Sequence, residues 1–213
     1  RNATVAPAEG SSVAVQSETG IFYTLSNSNN KVEGGSFQAP KLVQEYTDTE
    51  GNQELTVTGG TFAGAGQAEL LAYVPDGRTA KAQGNDTYAI LPATEPAADS
   101  VAVVDGVYYR ELANAVEAAG EEDTVTLVAN VVLDSRLVVE AEKSLTLDLA
   151  AYTITPAEDF PGSILINNYG ELTITGGEGT IAMTKDPTNG GVAVNVNGGT
   201  LSVRSGNIAS TRY

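Results

Sequence analysis

The chain has 213 residues, enough for one large or two small domains, and 41% of them are hydrophobic, which argues against wholesale disorder. It carries 27 acidic and 11 basic residues and no His, so the formal net charge is −16, which disfavours nucleic acid and anionic membranes as partners. Because Cys is also absent, the composition excludes disulfides, Ser-His and Cys-His nucleophiles and the usual zinc ligands. We interpret the charge mainly as a source of solubility, with Ca²⁺ binding by some carboxylates as the alternative.

Neither a membrane span nor a signal peptide is predicted. No apolar run is long enough to cross a bilayer, and the chain does not begin with a basic and then apolar segment. Arg1 stands where an initiator Met would, so we expect a processed or excised piece of a longer protein.

Internal repeats appear in the first third of the chain. Residues 31–37 and 55–62 each alternate polar and apolar side chains, reach Gly-Gly, and continue with a small or β-branched residue and Phe. These Gly-Gly pairs lie 25 positions apart, and two more, in 172–177 and 194–201, lie 22 apart. Repeats of about 20 to 50 residues are typical of solenoids. Gly206 is predicted to mark the next corner.

The repeat pattern predicts an all-β parallel β-helix. Alternation indicates short strands with one apolar face, and glycine permits the sharp turns between them. No single coil buries its apolar face alone, so coils must stack. A β-sandwich is the alternative, but its hairpins would favour Asn-Gly or Asp-Gly turns every 8–12 residues or so.

The densest acidic stretch, 45–54, lies between two of these predicted strands. It offers oxygen ligands for a possible Ca²⁺ site at Asp48, Glu50, Asn52 and Glu54. The spacing does not match an EF-hand loop, and a solvated loop between coils is the favoured interpretation. No other cofactor is predicted.

The middle of the chain predicts a boundary between two domains. A helical turn at 68–73 and two strands, around 80–82 and 87–91, precede a Pro- and Ala-rich segment, 92–100, that is typical of a linker. We therefore divide the chain into a domain at 1–91, the linker at 92–100, and a second domain at 101–213.

The second domain is predicted to begin with a cap. Strands flank a hairpin turn at Asp105-Gly106, and a helix is predicted over 110–119, whose apolar residues share one face. Such a helix would cover the exposed end of a solenoid. The strands predicted after it are 124–128, 131–133, 137–139, 145–149, 153–155 and 163–166.

No catalytic residue is predicted in the later coils. Glycan hydrolysis requires two opposed carboxylates, but the coils after residue 160 offer only Glu171, Glu178 and Asp186 as acids. Asn is more abundant there, and stacked Asn side chains indicate a hydrogen-bonded ladder; these residues are Asn167, Asn168, Asn195, Asn197 and Asn207. Four Tyr side chains are candidates for stacking on sugars or, alternatively, for covering the core edge: Tyr108, Tyr109, Tyr152 and Tyr169.

Residues 106–116 resemble the cap helix of pectate-lyase-like, right-handed parallel β-helix repeats in cell-surface proteins of gut-type Gram-positive bacteria. Residues 123–131 and 143–149 are similar to the first coils of such modules, and 59–62 to a strand near their ends. The chain departs from the family at 150–152, where Ala-Ala-Tyr replaces a frequent Asn-Gly-His. The resemblance implies the end of one module, a linker and the start of another, in an exported, wall-attached adhesin-like protein.

Together, the sequence predicts a non-catalytic extracellular protein of a bacterial cell surface, acting as an adhesin or a stalk. Its expected partners are neighbouring modules of a larger chain and a host or microbial glycan or protein. A lyase or hydrolase of the same fold is one alternative, and a subunit of a filament or phage is the other.

Overall fold

In the computed structural model, residues 3–8, 12–23, 28–44, 53–184 and 190–210 are described. They form a parallel β-solenoid of about 7 turns with short helices, which confirms the predicted fold class. The chain divides into two compact units, Arg1–Ala93 and Thr94–Tyr213. Parallel pairing between successive coils rules out the β-sandwich alternative in both units. Among the described residues, no helix has the length and apolar character needed to cross a membrane.

The coils of unit 1 are built from three parallel sheets. Residues 25 positions apart, such as Val32 and Val57, lie side by side in adjacent coils. The first sheet contains β1 (Ala3–Val5), β4 (Ser28–Val32) and β7 (Gln53–Val57). The second contains β2 (Ala14–Gln16), β5 (Ser36–Gln38) and β8 (Thr61–Ala63), and the third contains β3 (Phe22–Tyr23) and β6 (Val43–Gln44).

The first two Gly-Gly pairs form the same corner of successive coils, as predicted. Just after the two Gly-Gly pairs, Ser36 pairs with Thr61, so Gly59 lies over the preceding coil. A Cβ on Gly59 would come within 2.2 Å of the carbonyl oxygen of Glu33, and Gly60 has a φ of +106°. Glycine is therefore required here by both close approach and backbone conformation.

The far end of unit 1 is closed by a helix and a hairpin, in agreement with the predicted helical turn and closing strands. The elements are α1 (Gln67–Leu71), β9 (Arg78–Gly84) and β10 (Thr87–Pro92). Strand β10 pairs antiparallel with β8 and with β9. The helix is tied to the coils by Glu69, whose carboxylate accepts a 2.7 Å hydrogen bond from the backbone N–H of Leu42.

Unit 2 begins with a hairpin and a helix. The elements are β11 (Ala102–Val104), β12 (Val107–Tyr109) and α2 (Leu112–Ala118). Asp105 and Gly106 both have positive φ, as a type I′ turn requires. The helix begins two residues later than predicted because Glu111 is still extended, with φ −120° and ψ 127°. Its buried face covers the core of the first coil, as expected of a cap.

Three parallel sheets form the coils of unit 2. The first contains β13 (Asp123–Leu127), β16 (Ser144–Asp148), β19 (Glu171–Thr175) and β22 (Thr200–Val203), with β11 added antiparallel to β13. The second contains β14 (Val131–Leu133), β17 (Thr153–Pro156), β20 (Thr180–Met183) and β23 (Asn207–Ser210). The third contains β15 (Leu137–Val139), β18 (Ile164–Asn168) and β21 (Val192–Val196).

The predicted equivalence of the last two Gly-Gly pairs is wrong. Gly176-Gly177 follows β19, whereas Gly198-Gly199 precedes β22 at a different corner. Leu172 pairs with Leu201, so this coil advances by 29 residues rather than 22. The 22-residue spacing is therefore the distance between two different corners, which do not stack on each other. Gly206 does lie at the turn between β22 and β23, where its φ is +93°.

The core of unit 2 is a column of aliphatic side chains that stack from coil to coil. Ile174 and Ile181 are fully buried. Their partners one coil later, Val203 and Ile208, are 49% and 39% exposed. In the coil that contains Val203 and Ile208, inward-facing residues therefore have described neighbours only in the preceding coil.

Candidate ligand-binding face

One corner of unit 2 carries longer loops than the others. Between the second and third sheets the connections are residues 134–136, 157–163 and 184–191, which grow from three to eight residues along the solenoid. The other corners of these coils have two to four residues. Insertions at one corner of a repeat protein often mark its binding face. We call these three connections the loop edge; residues 185–189 within it lie outside the described residues.

A row of amide side chains lies on the third sheet, which follows the loop edge. Asn167 pairs in register with Val138 in the preceding coil and with Asn195 in the next. Because side chains alternate along a strand, these residues face away from the buried Ile166. Tyr169 and Asn197 follow the ends of β18 and β21. We call Asn167, Tyr169, Asn195 and Asn197 the amide face.

The amide face contains one pair of the predicted Asn ladder, Asn167 and Asn195. Asn195 donates a 2.7 Å hydrogen bond from Nδ2 to Oδ1 of Asn167. Asn167 is 3% exposed, so its carboxamide is closed to a large ligand. Asn195 and Tyr169 are half-buried and Asn197 is exposed. These three side chains are therefore the ones that a ligand can reach.

The neighbouring Asn168 has a structural role instead. It is fully buried, its Nδ2 donates to the carbonyl of Thr200 at 2.8 Å, and its Oδ1 accepts from the N–H of Gly170 at 3.1 Å. These bonds fasten the corner between β18 and β19 to the following coil. Asn207, by contrast, lies exposed on β23 of the second sheet, away from the amide face.

The sequence-predicted acids are dispersed. Glu171 begins β19 and accepts a 3.3 Å hydrogen bond from Ser144, while Glu178 is exposed in the turn before β20. Asp186 lies outside the described residues. Within the described part of the chain, no three acidic side chains are close enough to hold a metal ion.

The predicted Ca²⁺ site cannot be built from the described residues. Asp48, Glu50 and Asn52 lie outside them. Glu54 is placed in β7, but its side chain is not described. A calcium role for these four residues remains a prediction.

Two cavities flank the cap helix α2, with volumes of about 280 Å³ and 410 Å³. Both are lined by Arg136 at the loop edge. The first also has Arg110, Glu111 and Asp134, so its formal charges balance. Both cavities are lined by acidic and basic side chains together, and we assign no ligand to either.

The four candidate Tyr residues are all half-buried. Tyr109 and Tyr152 pack against the core of unit 2, which supports the core-edge interpretation for this pair. Tyr169 is the one that belongs to the amide face.

Comparison with models of known protein families, with curated proteins and with solved structures finds no match to this chain. The loop edge was missed by the sequence analysis. The signal for it was the distance between consecutive apolar strands, which lengthens from Leu133–Leu137 to Met183–Val192.

Proposed function

We propose that this protein is a non-catalytic, extracellular scaffold of a bacterial cell surface that presents a glycan-binding face on a rigid β-solenoid. The observation that carries this proposal is the loop edge, where the connections lengthen at one corner while the remaining corners stay short. A stack of hydrogen-bonded coils holds the strands that flank such loops at fixed spacing, which limits the conformational entropy lost on binding.

The chemistry of the amide face favours a neutral glycan. Its reachable side chains are two carboxamides and a phenol, from Asn195, Asn197 and Tyr169. Carboxamides donate and accept hydrogen bonds, which matches sugar hydroxyls, and Tyr presents an apolar ring beside a polar tip. An acidic glycan would meet a chain whose formal net charge is −16.

The location and the role as adhesin or stalk rest on the resemblance to β-helix repeats of Gram-positive surface proteins. In that family, modules follow one another along the chain. This chain has one cap made of α1, β9 and β10 and a second cap made of β11, β12 and α2, as consecutive modules would require. On this proposal the chain carries the end of one module and the start of the next.

The test is binding of the purified chain to an array of host and microbial glycans, with Ca²⁺ and then with a chelator. The double variant Asn197→Ala/Tyr169→Phe removes polar groups from the amide face, and Asn207→Ala is the matched control on another sheet. We expect selective binding that the double variant loses and the control keeps. Binding that survives the double variant would place the site elsewhere, and loss with chelator would implicate the acidic stretch at 45–54.

The same preparation addresses the alternatives. Polysaccharides cleaved during incubation would indicate a lyase or hydrolase, and concentration-dependent sedimentation of large species would indicate a filament subunit.

A further inference from the structure

The sequence contains two Asn-Gly dipeptides, at 189–190 and 197–198. Both residues of Asn197-Gly198 are described, and they form the corner between β21 and β22. Both are exposed. Gly198 has a φ of +88°, and a Cβ placed on it would meet nothing within 4 Å. The peptide bond between them is therefore open to solvent and free of steric cover.

The Asn197 carboxamide differs from the other Asn side chains of the coil. Those of Asn167, Asn168 and Asn195 are held in the hydrogen bonds described above. Among the described residues, the Asn197 side chain has no hydrogen-bond partner, and neither has the backbone N–H of Gly198. The backbone of Asn197 is fixed, because its own N–H donates to the carbonyl of Asn168 at 2.8 Å.

We propose that Asn197 is a site of spontaneous deamidation. The Gly198 nitrogen loses its proton to solvent and attacks Cγ of Asn197. A bond forms between that nitrogen and Cγ, Nδ2 takes a proton from solvent, and the bond from Cγ to Nδ2 breaks so that ammonia leaves, which produces a succinimide. Water then opens either carbonyl of the ring, giving aspartate or isoaspartate. No oxidant, enzyme or metal is required.

The reaction suits this position because its two requirements meet here. The attacking nitrogen must be free of a hydrogen bond, and the following residue must not crowd the ring; Gly satisfies the second since it has no side chain. The buried Asn168 satisfies neither, because the N–H of Tyr169 donates a 2.8 Å hydrogen bond to the carbonyl of Val139 and the Tyr side chain crowds the ring.

The product changes the amide face. Deamidation adds one negative charge at Asn197, taking the formal net charge from −16 to −17. Isoaspartate also adds one carbon to the main chain at the corner between β21 and β22. The proposal does not depend on glycan binding, because the modification is read by mass and not by affinity.

The test is incubation of the folded chain at mildly alkaline pH, followed by tryptic digestion and fragment-ion sequencing of the peptides that span residues 144–185 and 186–204. Isoaspartate is confirmed by methylation with an isoaspartyl methyltransferase. We expect acid to accumulate at position 197 at least about ten times faster than at Asn167 or Asn168, which react only through local opening. Asn197→Gln should abolish the signal at 197 and leave any signal at 189 unchanged.

The unfolded chain in denaturant provides the reference rate. If position 197 remains amide in the folded protein while it deamidates in the unfolded chain, the fold protects this corner and the proposal is overturned. If acid appears at 189 alone, it is overturned as well.

Discussion

The rings of Phe37 and Phe62 stack one coil apart, with their centroids 4.8 Å from each other and an angle of 13° between their planes. The two residues are also partners in the parallel register of β5 and β8. Phe22 lies beside this pair, with its ring centroid 5.7 Å from that of Phe37 and its ring plane tilted by 51°. Aromatic pairs in offset contact contribute about 0.5–1.5 kcal/mol beyond the burial of their area. The interior of unit 1 therefore depends on these rings.

Phe62→Ala should destabilise unit 1 strongly. The side chain is fully buried, so truncation removes its contacts with Phe37 and leaves a cavity. We expect a loss of about 3–5 kcal/mol in the free energy of unfolding. Urea titration followed by hydrogen exchange at β5 and β8 measures it. Leu71→Ala, at a side chain that is 38% exposed, is the control and should change the value by about 0.5 kcal/mol or less.

Gly59→Ala should be poorly tolerated although only one methyl group is added. The new Cβ would lie 2.2 Å from the carbonyl oxygen of Glu33, so the two coils would have to move apart. We expect a cost of about 2 kcal/mol or more, as for other overpacked sites. Gly66→Ala, where a Cβ would meet nothing within 4 Å, is the control. Equal melting temperatures for the two variants would contradict the close stacking of this corner.

Much of the fold could be read from the sequence because period-two alternation and Gly-Gly corners are local signals. Strands β14 and β15 fall on their predicted residues, and the Asp105-Gly106 hairpin is confirmed. The register of unit 2 could not be read, because it depends on how many residues each corner holds. Gly198-Gly199 looks like Gly176-Gly177 in sequence, yet the pairs occupy different corners.

Lys143→Met should loosen the cap of unit 2. The ammonium of Lys143 donates hydrogen bonds to the carbonyls of Glu117 and Ala119, at 2.6 Å and 2.5 Å, at the C-terminal end of α2. A cation there satisfies carbonyls that lack helical partners and interacts favourably with the helix dipole. We expect a loss of about 1 kcal/mol and faster hydrogen exchange in α2. Arg204→Met, at an exposed side chain far along the coils, should leave α2 exchange unchanged.

The candidate site was harder to predict than the fold. Individual residues such as Asn167 and Asn195 could be identified as a ladder, because stacked coils align them. The accessibility of these residues could not be predicted, because Asn167 is only 3% exposed although it points away from the core side of its strand. The loop edge appears only when three separate coils are superposed in register.

Asn168→Ala should destabilise unit 2 through backbone groups that lose their partners. The fully buried carboxamide bonds to the carbonyl of Thr200 and the N–H of Gly170, and both would remain without a side-chain partner after truncation. An unsatisfied buried polar group costs about 1–3 kcal/mol, and because Gly170 is buried whereas Thr200 is exposed, we expect a decrease of that size in the free energy of unfolding. Asn197→Ala removes the same atoms from an exposed position and should change it by about 0.5 kcal/mol or less. Chemical denaturation of both variants, with hydrogen exchange read at β19 and β22, measures the difference. Similar stability of the two variants would mean that the corner after β18 is held by backbone pairing alone.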